Sequence, residues 1–234
     1  MAVATDEFTG FKPEAIQFLV DLAENNRRDW FQPRKNEYER LLKEPLEAFI
    51  RALARRLEER DIPLRADPTR SPFRIYRDVR FSKDKSPYKT HVSASFPWIE
   101  GEDWDGSHSG EGGNPGGYFH MGPGEVYVGG GMWHPPTAKL AVFRAAVVAE
   151  PKTIRGLLDD PSFKRHFGTI SGDKLKRVPP GYPADHPEAE LLKQKDLTFG
   201  QRLADADVLS PALPDVVAET FEAASPLMRY LASI

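Results

Sequence analysis

The sequence predicts an α+β fold: a single domain over residues 1–234, with a mostly antiparallel central sheet and N-terminal and C-terminal helices packed on it. Three observations carry this. Apolar residues recur at helical spacing over residues 13–60, alternate with period two within residues 71–134, and return to helical spacing in the mixed segment 136–234. The turn Gly122-Pro123-Gly124-Glu125 joins two short alternating runs, which is the signature of a hairpin and of an antiparallel meander. No internal repeat, heptad run or linker divides the chain.

The first helix is expected to begin at Pro13, where a fixed φ suits the first helical position. It carries Ala15, Ile16, Phe18, Leu19, Leu22 and Ala23 on one stripe and stops near Asn25-Asn26. A second helical stretch is expected from about Pro33 to Arg60, with Leu41, Leu42, Leu46, Phe49, Ile50, Leu53 and Leu57 as its buried stripe. Pro45 within it must kink or break the helix. Strands are expected at Phe73–Asp78, Val92–Phe96, Tyr118–Met121 and Val126–Gly129, with two more at Leu175–Val178 and Leu197–Leu203. Between them, residues 100–117 are acidic, glycine-rich and nearly free of aliphatic side chains, so a surface loop is expected there. Leu140, Val142, Phe143, Ala146 and Val147 restart the helical period after Pro135-Pro136. Ile154, Leu157 and Leu158 continue it, a short helix follows near Phe163–Phe167, and one or two helices close the chain from Pro211.

Composition excludes several chemistries. With no Cys, the chain has no disulfide, zinc-thiolate site, iron–sulfur cluster or thiol nucleophile. A net charge of −3 argues against a surface built wholly for polyanions, but it sums opposed blocks. Residues 70–89 hold seven basic side chains against two acidic ones, whereas residues 90–138 hold no Lys or Arg and six acids. Any anion site must therefore be local. No segment is long and apolar enough to span a membrane or to direct export, so no membrane partner and a cytoplasmic location are expected. Nothing in the pattern fixes an oligomeric state.

The basic block reads Arg74-Ile75-Tyr76-Arg77-Asp78-Val79-Arg80-Phe81-Ser82-Lys83-Asp84-Lys85-Ser86-Pro87-Tyr88-Lys89. In the form R-x-x-R-D-x-R-F-x-x-D-K-x-x-Y it resembles the signature of the domain of unknown function 2461 family, bacterial proteins of similar length also found within longer fungal chains. The likeness continues through Gly117-Tyr118-Phe119-His120, Gly129-Gly130-Gly131-Met132-Trp133, Leu175-Lys176-Arg177 and Gly181-Tyr182-Pro183-Ala184-Asp185-His186-Pro187, and so covers most of the chain. The resemblance implies no activity, cofactor or catalytic residue.

The residues themselves point to an anion. Arg stays charged and clamps carboxylate or phosphate through its planar fork, so Arg74, Arg77, Arg80, Lys85 and Lys89 are candidates to line a cleft for a small phosphate- or carboxylate-bearing ligand. Asp78 and Asp84 would orient the cations, Tyr88 would supply a hydroxyl, and His120 and Trp133 would stand nearby, with His120 an acid–base candidate. The competing reading is a fold-locking network of Arg77–Asp78 and Arg80–Asp84 pairs, since buried charges persist only when paired. A nucleic-acid-binding module using residues 70–89 and 139–181, or an interaction domain with no small ligand, would use the same residue types.

Other signals are weaker. His91, His120 and His134 with Asp78 are the residue types of a metal site, but no HxH, HExxH or HxxxH spacing occurs, and a metal is not expected. Lys85 directly follows Asp84, which on a strand points the two to opposite faces, unlike the carboxylate and lysine of a metal-dependent nuclease. Gly129-Gly130-Gly131 lacks the Gly-Lys-Ser/Thr ending of a phosphate loop. The glycines are expected to admit a strand bend or a close backbone approach, with Trp133 filling the space. Asp185-His186 resembles part of a hydrolase triad, but no G-x-S-x-G elbow accompanies it.

Overall fold

A computed structural model of the chain describes residues 7–100 and 113–234. Most of the acidic loop expected at 100–117 lies outside the described residues. Gly116 and Gly117 already belong to a strand.

Helix α1 (Pro13–Glu24) has Pro at its start and buries Ala15, Phe18, Leu19 and Leu22. The second helical stretch begins earlier than the pattern predicts, at Arg28, and is broken into short turns before α2 (Glu44–Glu59). The break before Pro45 is a π-turn over Glu39–Lys43, closed by Glu44 N–H donating to Glu39 O. A proline ring collides with the carbonyl four residues back, and widening the preceding turn removes that collision.

Strands β1 (Val92–Pro97), β2 (Gly116–Gly122) and β3 (Glu125–Met132) form the expected meander. Helix α3 (Thr137–Ala149) and two shorter helices, Pro151–Leu158 and Pro161–Phe167, follow it. The chain then returns as β4 (Leu197–Leu203) beside β3, completing a fully antiparallel sheet in the order β1-β2-β3-β4. One closing helix, α4 (Leu213–Ala232), follows, and it runs unbroken through Pro226 because eleven of its residues, Leu213, Val217 and Phe221 among them, are buried.

Two expected strands do not form. Leu175–Val178 contributes only Leu175 N–H donating to Lys193 O. Residues 72–77 run alongside β1 and then pair back on residues 87–89, but only as isolated bridges, Pro72 with Ala94 and Tyr76 with Tyr88. Pro72 has no N–H for the ladder, which keeps this edge irregular. The alternation within it is real: Ile75 is buried and Arg77 half-buried, while Arg74, Tyr76, Asp78 and Arg80 are exposed.

The core lies on one sheet face, where α2 and α4 pack. Phe119 meets Phe49 of α2 at 4.7 Å between ring centroids, and Phe96 meets Phe221 of α4 at 5.7 Å. Phe199 receives Phe163 and Phe167 of the third helical segment on the same side. Burying one such ring contributes about 1.5–3 kcal/mol, so this face supplies much of the fold's stability. The other face is where the candidate site lies.

Candidate functional site

Strand register builds the open face row by row. Ser95, Tyr118, Gly129 and Gly200 lie across from one another, as do Pro97, Gly116, Gly131 and Thr198, and Ser93, His120, Tyr127 and Arg202. Two of these three rows are half glycine, so the sheet carries a hollow where other sheets carry side chains. The hollow is a cavity of about 460 Å³ with Gly116, Gly130 and Gly131 in its lining. Tyr118 and Tyr127 wall it, Phe73 closes the β1 side, and Trp133 stands at the rim, 63% exposed. The expectation that Trp133 fills space in the sheet is therefore corrected: its ring stacks on His134 at 4.2 Å instead. Tyr127 lies over Gly200, where a Cβ would come within 2.0 Å of its hydroxyl oxygen.

The polar groups gather at the end of the cavity nearest β1. Lys89 Nζ sits 4.8 Å above the Phe73 ring, and no carboxylate among the described residues lies within ion-pair distance of it. Burial, and then the charge of Arg74, push the Lys89 ammonium below its ordinary value. His91 stacks on His120 at 4.2 Å, and the Tyr118 hydroxyl lies 3.3 Å from His120 Nδ1. Burial, with His120 and Lys89 adding repulsion, lowers the His91 pKa to about 4, and burial lowers that of His120. Burial raises that of Tyr118, with a Ser93 hydrogen bond opposing it.

A neutral His91 in the fold has a consequence for acid stability. The unfolded chain takes up the proton near pH 6.5 and the folded chain only near 4, so this stabilisation is complete above about 6.5 and is lost as pH falls towards 4. Discounted for partial exposure, the loss is expected to be about 1–2 kcal/mol. Urea unfolding of wild type and His91→Gln between pH 7 and 4 checks it: the variant should show a flatter profile over that window.

Beyond the other wall of Lys89 and His91 is a second cavity of about 340 Å³, which Arg77, Asp84 and Tyr88 also line. Here the basic block is satisfied from within. Arg77 pairs with Asp84 and donates to Ser86 O at 3.2 Å. Arg80 clamps Asp78 with Nε at 3.0 Å and Nη2 at 2.7 Å, and Lys85 donates to Val79 O at 2.9 Å. The ion pairs are thus crossed relative to the expected Arg77–Asp78 and Arg80–Asp84, because the loop between residues 78 and 86 folds back. The Arg80 fork holds Asp78 at about 2. Hydrogen bonds from Ser86, then Arg77, hold Asp84 well below the usual carboxylate range. Tyr88 is 1% exposed, stacked on Phe31 at 4.1 Å, with its hydroxyl accepting from Gln32 at 3.4 Å.

The predicted residues therefore separate into two groups. Lys89, His120 and Trp133 meet at or beside the sheet-face cavity, joined electrostatically by Arg74. Arg77, Asp78, Arg80, Asp84, Lys85 and Tyr88 belong to the folded-back loop. His91, His120 and His134 do not converge with Asp78, and among the described residues no three His, Asp or Glu side chains are placed to hold a metal ion. His186 Nδ1 accepts the Glu188 N–H within a turn.

Sequence reasoning missed one arrangement at the rim. Asp196, 3% exposed, accepts from His134 N and lies 2.8 Å from His134 Nδ1, while its other oxygen accepts from Asp173 N at 3.0 Å. Burial alone would raise its pKa, but these N–H groups outweigh it and keep the carboxyl below its usual range. His134 adopts φ +50, and the carboxylate holds it there.

The family model described as Conserved hypothetical protein (DUF2461) matches residues 14–230, nearly the whole chain. The chain belongs to that family. No curated protein and no solved structure matches it. Among the described residues, no helix of this family member is long and apolar enough to cross a membrane. The DUF2461 family description names no chemistry, and the sheet-face cavity is the feature of this member on which a function can rest.

Proposed function

We propose that the protein binds, or acts on, a small ligand with a flat apolar body and a phosphate or carboxylate group, held in the sheet-face cavity. The observation that carries this reading is the pairing of a glycine-floored aromatic hollow with a cation, Lys89, that has no carboxylate partner among the described residues. The body of the ligand lies on the glycine floor between Tyr118, Tyr127 and Trp133. The anion meets Lys89, with Arg74 adding positive potential. Arg77 and Arg80 support the loop and do not touch the ligand, because their guanidinium groups are already engaged.

Phenyl phosphate is a suitable probe. At about a hundred times its dissociation constant it should stabilise the fold by about 2.7 kcal/mol, which is roughly 5–10 °C for a chain of this size. Lys89→Met should lose most of that gain, and Arg80→Ala should keep it. Equal gains in wild type and Lys89→Met would refute the reading.

A second reading, a nucleic-acid-binding module, draws on Phe81, which is 95% exposed and flanked by Arg80, Lys83 and Lys85. Aromatic stacking beside cations is how single strands are held. It predicts steep loss of oligonucleotide affinity as salt rises, by orders of magnitude, whereas the cavity reading predicts weak salt dependence for phenyl phosphate.

A further inference from the structure

We infer that Lys89 is a nucleophilic amine that condenses with the carbonyl group of an aldehyde or 2-oxo acid bearing a phosphate or carboxylate. This rests on the cavity reading above and adds the chemistry of the ligand.

The placement of Nζ carries the inference. The side chain is half-buried between two cavities, opens into the larger, and rests on an aromatic ring. The other lysines with assigned partners are held differently. Lys85 donates to Val79 O and Lys139 to Ile234 O, while Lys35, Lys43, Lys164, Lys174, Lys193 and Lys195 face carboxylates. A lysine in an apolar site beside a second cation, with no carboxylate partner among the described residues, is the arrangement that frees an amine lone pair near neutral pH. Its lowered pKa agrees with that.

The surroundings suit the rest of the reaction. The Nζ lone pair attacks the carbonyl carbon, giving a carbinolamine. Its C–O bond then breaks and C=N forms, and the carbonyl oxygen leaves as water with the two protons of the amine. No oxidant or reductant is required. His91 is neutral and, like the protonated Tyr118 hydroxyl, lines the same cavity, so the pair can relay those protons to the departing oxygen. Arg74 opposes protonation of Nζ and attracts the ligand's anion to the same end.

Pyridoxal phosphate, an aromatic aldehyde phosphate, is the probe, used with the full chain at equimolar concentration and reduced with borohydride. Peptide mapping should place the adduct mainly on Lys89, and Lys89→Arg should lose it while melting at the wild-type temperature. An adduct spread over surface lysines, or unchanged in Lys89→Arg, would overturn the inference. Pyridoxine phosphate, which has an alcohol in place of the aldehyde, separates the two readings. If it stabilises the fold while the aldehyde leaves Lys89 unmodified, the condensation is refuted and the cavity reading stands. If neither compound binds, both readings fail.

Discussion

Replacing Gly131 with alanine is expected to destabilise the fold by about 3 kcal/mol, lowering the melting temperature by roughly 6–12 °C. Two effects add at this position. Gly131 has φ +104, a region that residues with a Cβ rarely enter, and a Cβ there would lie 2.1 Å from Leu197 O on the neighbouring strand. The oxygen belongs to a backbone locked in the β3–β4 ladder and cannot move aside cheaply. Because Gly131 also lines the cavity, ligand binding should fall with stability. Differential scanning calorimetry with and without phenyl phosphate measures both.

Asp196→Ala is the second large effect, about 3 kcal/mol of destabilisation. The carboxylate satisfies the backbone N–H groups of His134 and Asp173 and contacts the His134 ring, and hydrogen bonds to a charged acceptor contribute about 1.5–3 kcal/mol each. Water replaces part of that loss because both donors lie on exposed residues. Without its anchor, His134 should relax from positive φ and carry Trp133 away from the rim. Asp196→Asn should retain about half the stability, since an amide offers one acceptor oxygen where the carboxylate offers two. Denaturant unfolding gives the stabilities, and Trp fluorescence follows the rim. Equal stability of all three proteins would show that this anchor holds nothing.

The elements differ in how legible they are from sequence, and the differences have physical causes. The meander is readable because alternation and the turn at residues 122–125 are local signals. Pro13 and Pro45 are readable because proline acts on its own turn. The segment at residues 72–77 shows the limit: its alternation describes burial, but a strand needs a ladder that Pro72 interrupts. Closing helix α4 shows the converse, since tertiary packing overrides Pro226.

The site is less legible than the fold. Arg77, Arg80, Asp78 and Asp84 form ion pairs as their composition suggests, but which cation meets which carboxylate depends on how the loop folds back. His134 and Asp196 stand 62 residues apart, and no local pattern links them. The glycines of β3 stand out in sequence, yet the part that Gly130 and Gly131 take in the cavity lining appears only once register sets them across from Gly117 and Gly116. Lys89, at the end of the basic block, is a predicted cation with no carboxylate within ion-pair distance among the described residues.

The most direct test of the central claim is a crystal structure with phenyl phosphate bound. The ring should lie on the glycine floor between Tyr118, Tyr127 and Trp133, with a phosphate oxygen within hydrogen-bond distance of Lys89 Nζ. Phosphate seated on Arg77 or Arg80 with the Asp84 and Asp78 pairs broken, and the sheet-face cavity empty, would contradict the account.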